Sequence, residues 1–243
     1  MPPEISLKAE EIFHIGRWPV TNALLLSSLA VLVLLVFGFI LRRRLSLIPE
    51  KLQGLFELFL DSALDLMDSV LGSRHLSEKY LPLVATIFLF ILTSNWLGLL
   101  PIVGPLELED GTRAIPLFRA PASDLNFTIV LAIISVFSVN FFGAFALGIK
   151  HYLSKFFTLK NPIFSFVGIL EFFSEFIKII SFSFRLFGNV FAGEVLLIIV
   201  GFLAPHFIPL PFLFLEVFVG FIQAFIFSML TLVFLSMAVR ETH

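Results

Sequence analysis

The chain has 243 residues, 58% of them hydrophobic and 14% charged, with a formal net charge of -2 and no cysteine. With a mean hydropathy of +1.03, it falls among polytopic helical membrane proteins rather than soluble globular ones. Disulfides, thiolate catalysis and cysteine-held metal are excluded, and nothing in the charge suggests a nucleic-acid partner.

Residues 1–19 are polar and mixed in charge, without the basic start of a secretory signal. Residues 20–41 form the first predicted span, ended by Arg42, Arg43 and Arg44. Residues 49–72 read as an amphipathic helix at the membrane surface. Leu52, Phe56, Phe59, Ala63, Leu66 and Val70 take one face, and Glu57, Asp61, Asp65 and Asp68 the other. That acidic face is unlike the usual basic lipid binder and leaves a seat on protein open. Residues 80–100 form a second span with Thr93, Ser94 and Asn95 near its far end, and residues 101–121 are a loop holding Glu107, Glu109, Asp110, Arg113 and Arg119. Asp124 is the expected N-cap of a third span over residues 125–149.

Lys150, His151, Lys155 and Lys160 lead into residues 161–204, which are apolar nearly throughout yet carry Glu171, Glu175, Lys178, Arg185, Asn189 and Glu194. As one helix this stretch would extend about 65 Å, twice the roughly 30 Å hydrocarbon core. It must break or lie steeply tilted. Pro205, Pro209 and Pro211 mark its far turn, and residues 212–239 form the last helix, with Glu216, Gly220 and Gln223 on one face. No internal repeat or linker divides the chain, so it reads as a single membrane domain. The inner segments hold ten basic residues (Arg42, Arg43, Arg44, Lys51, Arg74, Lys79, Lys150, Lys155, Lys160, Arg240) against four outside (Lys8, Arg17, Arg113, Arg119). That excess predicts an outer N-terminus and an inner C-terminus.

The buried charges carry the functional reading. Glu171, Ser174, Lys178, Ser181, Arg185 and Asn189 follow at spacings that put them on one helical stripe, about 80° wide. Glu194 falls roughly 180° away from Arg185 and should face other neighbours. A charge at mid-membrane costs about 2.5–3.5 kcal/mol on insertion scales, so each needs a partner or a task. Arg185 is either half of a buried pair with a carboxylate such as Glu216, or a fixed positive charge facing something that passes. It cannot relay protons itself, but it can favour the ionised form of a carboxylate brought near. Glu194 and Glu216 are either protonated helix-joining acids or proton relays, while Asn189 and Gln223 can hold water or simply join helices. Glu171, Ser174, Glu175 and Lys178 are either a solvated rim with a Glu–Lys pair or the lining of an inner access path. Asn95 either lines the opposite path or caps a helix end. None of the five histidines falls inside a predicted span and no phosphate-binding loop is present, so a metal, cofactor or nucleotide site is not expected.

The run Ser183-Phe184-Arg185-Leu186-Phe187-Gly188-Asn189-Val190-Phe191-Ala192-Gly193-Glu194 resembles the a subunit of the F-type ATP synthase membrane sector. Gln223-Ala224-Phe225-Ile226-Phe227, Leu235-Ser236-Met237-Ala238, Ile169-Leu170-Glu171, Ser94-Asn95-Trp96 and Ser123-Asp124-Leu125-Asn126 second it. The likeness covers the chain from about residue 80 to its end and is weaker before. It implies an all-α polytopic membrane protein with about three upright spans, one interfacial helix and a long, strongly tilted, membrane-embedded helical hairpin. It further implies a non-catalytic stator subunit in a bacterial plasma membrane, beside a ring of c subunits and with b-type peripheral stalk subunits and lipid as neighbours. Arg185 would be the gating arginine. Glu194, Glu216, Asn189 and Gln223 would belong to an outer half-channel with Asn95 at its access, and Ser181, Ser174 and Glu171 to an inner one. The translocated ion is H+ or Na+, because the selecting carboxyl would sit on the ring. Some members carry a histidine at the position of Glu216 and an aspartate at that of Gly98, which leaves the order of proton hops open. Two rival classes are an ion-coupled secondary transporter, which should work alone, and a purely structural membrane subunit.

Overall fold

The computed structural model describes residues 9–43, 51–100, 107–110, 113–149, 152, 162–204 and 207–240. Among the described residues six α-helices run in chain order: α1 Asn22–Arg43, α2 Lys51–Leu71, α3 Arg74–Gly98, α4 Leu125–Leu147, α5 Pro162–Leu203 and α6 Pro209–Arg240. All except α2 are long and apolar enough to cross a membrane. The all-helical membrane architecture expected from the sequence is therefore the one observed. Arg44, Lys150, His151, Lys155, Lys160 and Pro205, read above as span ends and turns, lie outside the described residues.

Three local features differ from the expectation. The polar segment before α1 is not featureless: β1 Glu11–Ile15 pairs antiparallel with β2 Trp18–Thr21. The loop after α3 likewise holds the hairpin β3 Glu107–Asp110 with β4 Arg113–Pro116. Both hairpins are too short for alternation to announce them in sequence. Finally, α3 begins at Arg74 rather than near Tyr80. Hydropathy marks where a helix enters the apolar phase, whereas hydrogen bonding lets it continue beyond that point.

The long stretch does not break. As a 42-residue helix, α5 extends about 63 Å, and the 32 residues of α6 about 48 Å. One apolar cluster joins Ile87 and Ile91 of α3, Leu131 and Ala132 of α4, Phe182 and Leu186 of α5 and Ala224 and Phe227 of α6. A second joins Met67 and Leu71 of α2, Tyr80 and Val84 of α3, Val139 of α4 and Leu232, Leu235 and Ala238 of α6. Buried hydroxyls stitch the same helices, Thr128 to Ser183 at 3.0 Å and Ser135 to Thr231 at 2.8 Å. In an apolar surrounding such bonds satisfy groups that lipid cannot.

The two ends of the bundle are built differently. At one end the Asn22 side-chain amide donates to the Pro116 carbonyl at 3.3 Å, placing the start of α1 beside β4. There a 3-10 turn, Pro121–Ser123, leads into α4, and the Asp124 carboxylate accepts from the Asn126 backbone N–H as the expected N-cap. At the other end α2 rests on protein: Leu64, Met67 and Leu71 are buried and Ser236 donates to the Val70 carbonyl. The buried face is thus rotated from the expected apolar stripe, leaving Leu55, Leu58 and Leu66 exposed with the acids. Arg74 fans across Asp65, Asp68 and Asp61 at 3.1–3.4 Å, pinning the α2–α3 corner. Solvent screens these pairs, so they orient the corner more than they stabilise it.

Candidate functional site

The inner face of α5 is set by Phe182, Ser183 and Leu186, all buried against α3, α4 and α6. A helix that buries these positions turns Ser181 and Arg185 away from them; both are exposed, as is Asn189 one turn further on. The Arg185 guanidinium donates to the Ser181 hydroxyl one turn earlier, at 3.3 Å. No described carboxylate lies within ion-pair distance of it; in particular the pair with Glu216 is not formed. Around it the surface is apolar, with Phe184, Ile177 and Ile180 all more than half exposed. A cation with no carboxylate partner among the described residues therefore sits on a hydrophobic face.

Nine residues on, about 13 Å along the axis, α5 presents Glu194 to a different neighbour. Its Oε1 lies 3.3 Å from the Nε of Arg119, which is 8% exposed. Arg119 also donates to the Ser123 hydroxyl at 3.0 Å, and that hydroxyl donates to the Ala120 carbonyl at 2.9 Å. Beside Glu194, Gly193 leaves room for the Glu216 carboxyl, which occupies the space a Cβ at position 193 would need. Glu216 and Gln223 are both buried, two turns apart on one face of α6. Between them the Gly220 carbonyl accepts from the Asn95 amide at 3.2 Å, and the Trp96 indole donates to the Val217 carbonyl at 3.1 Å. Asn95 is thus a cross-helix contact rather than a helix cap.

This end is polar beyond what its own bonds satisfy. Three of the five buried side-chain oxygens without a partner among the described residues are Ser94 Oγ, Asn95 Oδ1 and Glu194 Oε2. Each such atom costs on the order of 1–3 kcal/mol, so several near one another mark a region kept polar against the interest of stability.

Toward the start of α5 the carboxylate is fully matched instead. Glu175 holds Lys178 at 2.7 Å and accepts from the Asn140 amide at 3.0 Å, while the Tyr152 hydroxyl donates to Asn140 at 2.6 Å. Lys178 also lies 4.5 Å from the Phe234 ring centroid. The pair is largely enclosed, not a solvated rim, with side-chain exposures of 24% and 15% for Lys178 and Glu175. Glu171 and Ser174 are half-exposed on the preceding turns.

The expected residues therefore form three groups: Arg185 with Ser181 and Asn189 on the outer face of α5; Glu194, Glu216, Gln223 and Asn95 enclosed at the end near the 3-10 turn; Glu171 and Ser174 toward the other end. The sequence reading missed Arg119, Ser123, Asn140 and Tyr152. Arg119 was an outer loop cation there, and no local spacing ties it to Glu194.

Residues 24–236 match the family model described as ATP synthase A chain. The ATP synthase subunit a of Campylobacter fetus subsp. fetus is 35% identical over 242 residues, 99% of either chain. That of Moorella thermoacetica is 33% identical over 226 residues, 93% of this chain and 94% of the relative.

Proposed function

The chain belongs to the ATP synthase subunit a family, and from that premise we propose that it is the stator that carries protons to and from a ring of c subunits in the membrane sector of an F-type ATP synthase. The observation that carries this reading is the separation of charges along α5. Arg185 stands exposed on an apolar face without an internal carboxylate, while Glu194 and Glu216 are drawn into the bundle beside unmatched polar atoms. A bare cation on such a face is costly in lipid. A passing carboxylate on a neighbouring subunit relieves that cost.

In this mechanism the polar region around Glu216, Glu194, Gln223, Asn189 and Asn95 is the outer half-channel. A proton entering there passes by Glu216 and Glu194 to a ring carboxylate, which becomes neutral and can turn into lipid. After nearly a full rotation the carboxyl reaches the inner half-channel along Ser181, Ser174 and Glu171. Arg185 favours release of its proton there and blocks a direct leak between the two paths. Each charge crossing the membrane gains about 2.3 kcal/mol per 100 mV. The basic-residue asymmetry puts the N-terminus outside and the C-terminus in the cytoplasm of a bacterial cell. The Asn22–Pro116 contact agrees with this, since it puts the start of α1 and the β3–β4 hairpin at one end. Peripheral stalk b subunits are the further expected neighbours.

The test is ATP-driven proton pumping in membrane vesicles that hold the assembled complex. R185A is expected to lower pumping by at least about a hundredfold with normal co-purification of the c subunit. R185K should also lose coupled transport, because lysine keeps the charge but not its reach or spread. Intact flux in R185A would leave a structural subunit as the better description.

A further inference from the structure

Arg119 belongs to none of the roles assigned above, yet among the described residues it is the cation that meets a relay carboxylate. Its surroundings are rigid. The 3-10 turn after it is closed by backbone bonds from Ser123 to Ala120 and from Asp124 to Pro121, both 3.1 Å. Ser123 is fully buried, and its hydroxyl is spanned between the Arg119 Nε and the Ala120 carbonyl. The guanidinium is therefore fixed by the turn before it meets α5. Its Nε–H is given to Ser123, so the 3.3 Å approach to Glu194 is an ion pair, and it is the permanent charge that tethers the carboxylate.

The two oxygens of Glu194 are in unequal positions. Oε1 faces Arg119 at 3.3 Å, whereas Oε2 is buried without a partner among the described residues. Next to them the Glu216 carboxyl fills the notch at Gly193. We propose that Arg119 is a positioning residue for the relay: it fixes Oε1 of Glu194 and leaves Oε2 as the atom that takes up a proton and hands the same proton on. This rests on the reading of Glu194 as a relay. It adds that the relay works because one oxygen is tethered from the turn that precedes α4. Arg119 itself never gives up a proton. Its part is to keep the Glu194 side chain in one orientation through each protonation cycle.

The inference is tested in vesicles carrying the complete complex, by the initial rate of ATP-driven quenching of a pH-sensitive dye. The amount of assembled complex is measured in parallel. R119Q should assemble normally and pump at least about tenfold more slowly, while R119K, which keeps a tethering cation, should stay within about threefold of the unsubstituted complex. In an E194D background the carboxyl is already drawn back by one methylene, so adding R119Q should cost less than about threefold more. Three results would overturn the proposal: R119Q pumping normally, R119K as slow as R119Q, or the full R119Q loss persisting in E194D. Failure of R119Q to assemble while E194Q assembles would also overturn it, making Arg119 a structural tie. A different outcome, E194Q pumping at the normal rate, would remove the relay reading itself and is distinguishable from all of these.

Discussion

The two carboxylates that α5 draws into the bundle meet opposite treatment. Glu175 is matched on both oxygens, by Lys178 and by Asn140, and Tyr152 orients Asn140 in turn. Among the described residues Glu194 is matched on one oxygen only, and the carboxyl of its neighbour Glu216 lies against the glycine notch at position 193. A fully bonded ion pair is held where it is, because any change of protonation breaks several bonds at once. A half-bonded carboxylate can change protonation without dismantling its surroundings. Under the proposed function, the contrast gives the Glu175 pair a holding role and Glu194 a part in proton transfer, and it can be attacked from both sides.

Between these two carboxylates the larger expected effect is at the half-bonded one. E194Q should lower proton conduction by at least about tenfold, and E216Q by a similar factor, with normal assembly in both. The measurement is ATP-driven pumping together with passive conduction after the catalytic sector has been stripped off. Glutamine preserves shape and hydrogen bonding, so conduction at the normal rate would show that neither acid needs to titrate.

G193A comes next. A methyl at position 193 collides with the Glu216 carboxyl, the movable end of a side chain rather than backbone. The helix should therefore survive while the carboxyl is pushed aside. Conduction should fall by about fivefold without loss of complex. Unchanged conduction would mean that the position of Glu216 in the notch has no bearing on transport.

E175Q tests the other side of the comparison. It removes the negative charge but leaves Lys178 in a largely enclosed site. Conduction should stay within about twofold, while stability of the subunit in the complex drops by about 1–3 kcal/mol, seen as release at lower temperature on heating. A large loss of conduction with unaltered stability would make the inner cluster part of the path and would erase the contrast.

How much of this was legible beforehand follows from the range of the interactions. The five long helices and α2 declare themselves through composition and period, because lipid imposes length and apolarity locally. The outward direction of Arg185 was also within reach, since helical spacing alone separates it from Glu194. The pairing of Arg119 with Glu194 was not, because it joins a loop to a helix far away in the chain. Nor was the Asn140 bond to Glu175, which comes from α4, although the Lys178 pair beside it lies at a readable i, i+3 spacing. The polar stripe of α5 reads in the sequence as one surface. In the fold its first half is partly covered and its second half is bare.

The smallest expected effect separates polarity from incomplete bonding. Ser135 and Thr231 meet at 2.8 Å in the fully buried seam between α4 and α6, and Thr231 also donates to the Phe227 carbonyl at 2.8 Å. S135A removes one hydroxyl but leaves Thr231 with a place for its proton, so no buried donor is orphaned. The cost should be only about 0.6 kcal/mol, the average for such bonds between membrane helices. Pumping should be unaltered, because nothing in this seam is left unsatisfied. If S135A slowed pumping as much as G193A, buried polarity in general would matter to transport, and the half-bonded state of Glu194 would lose its special standing.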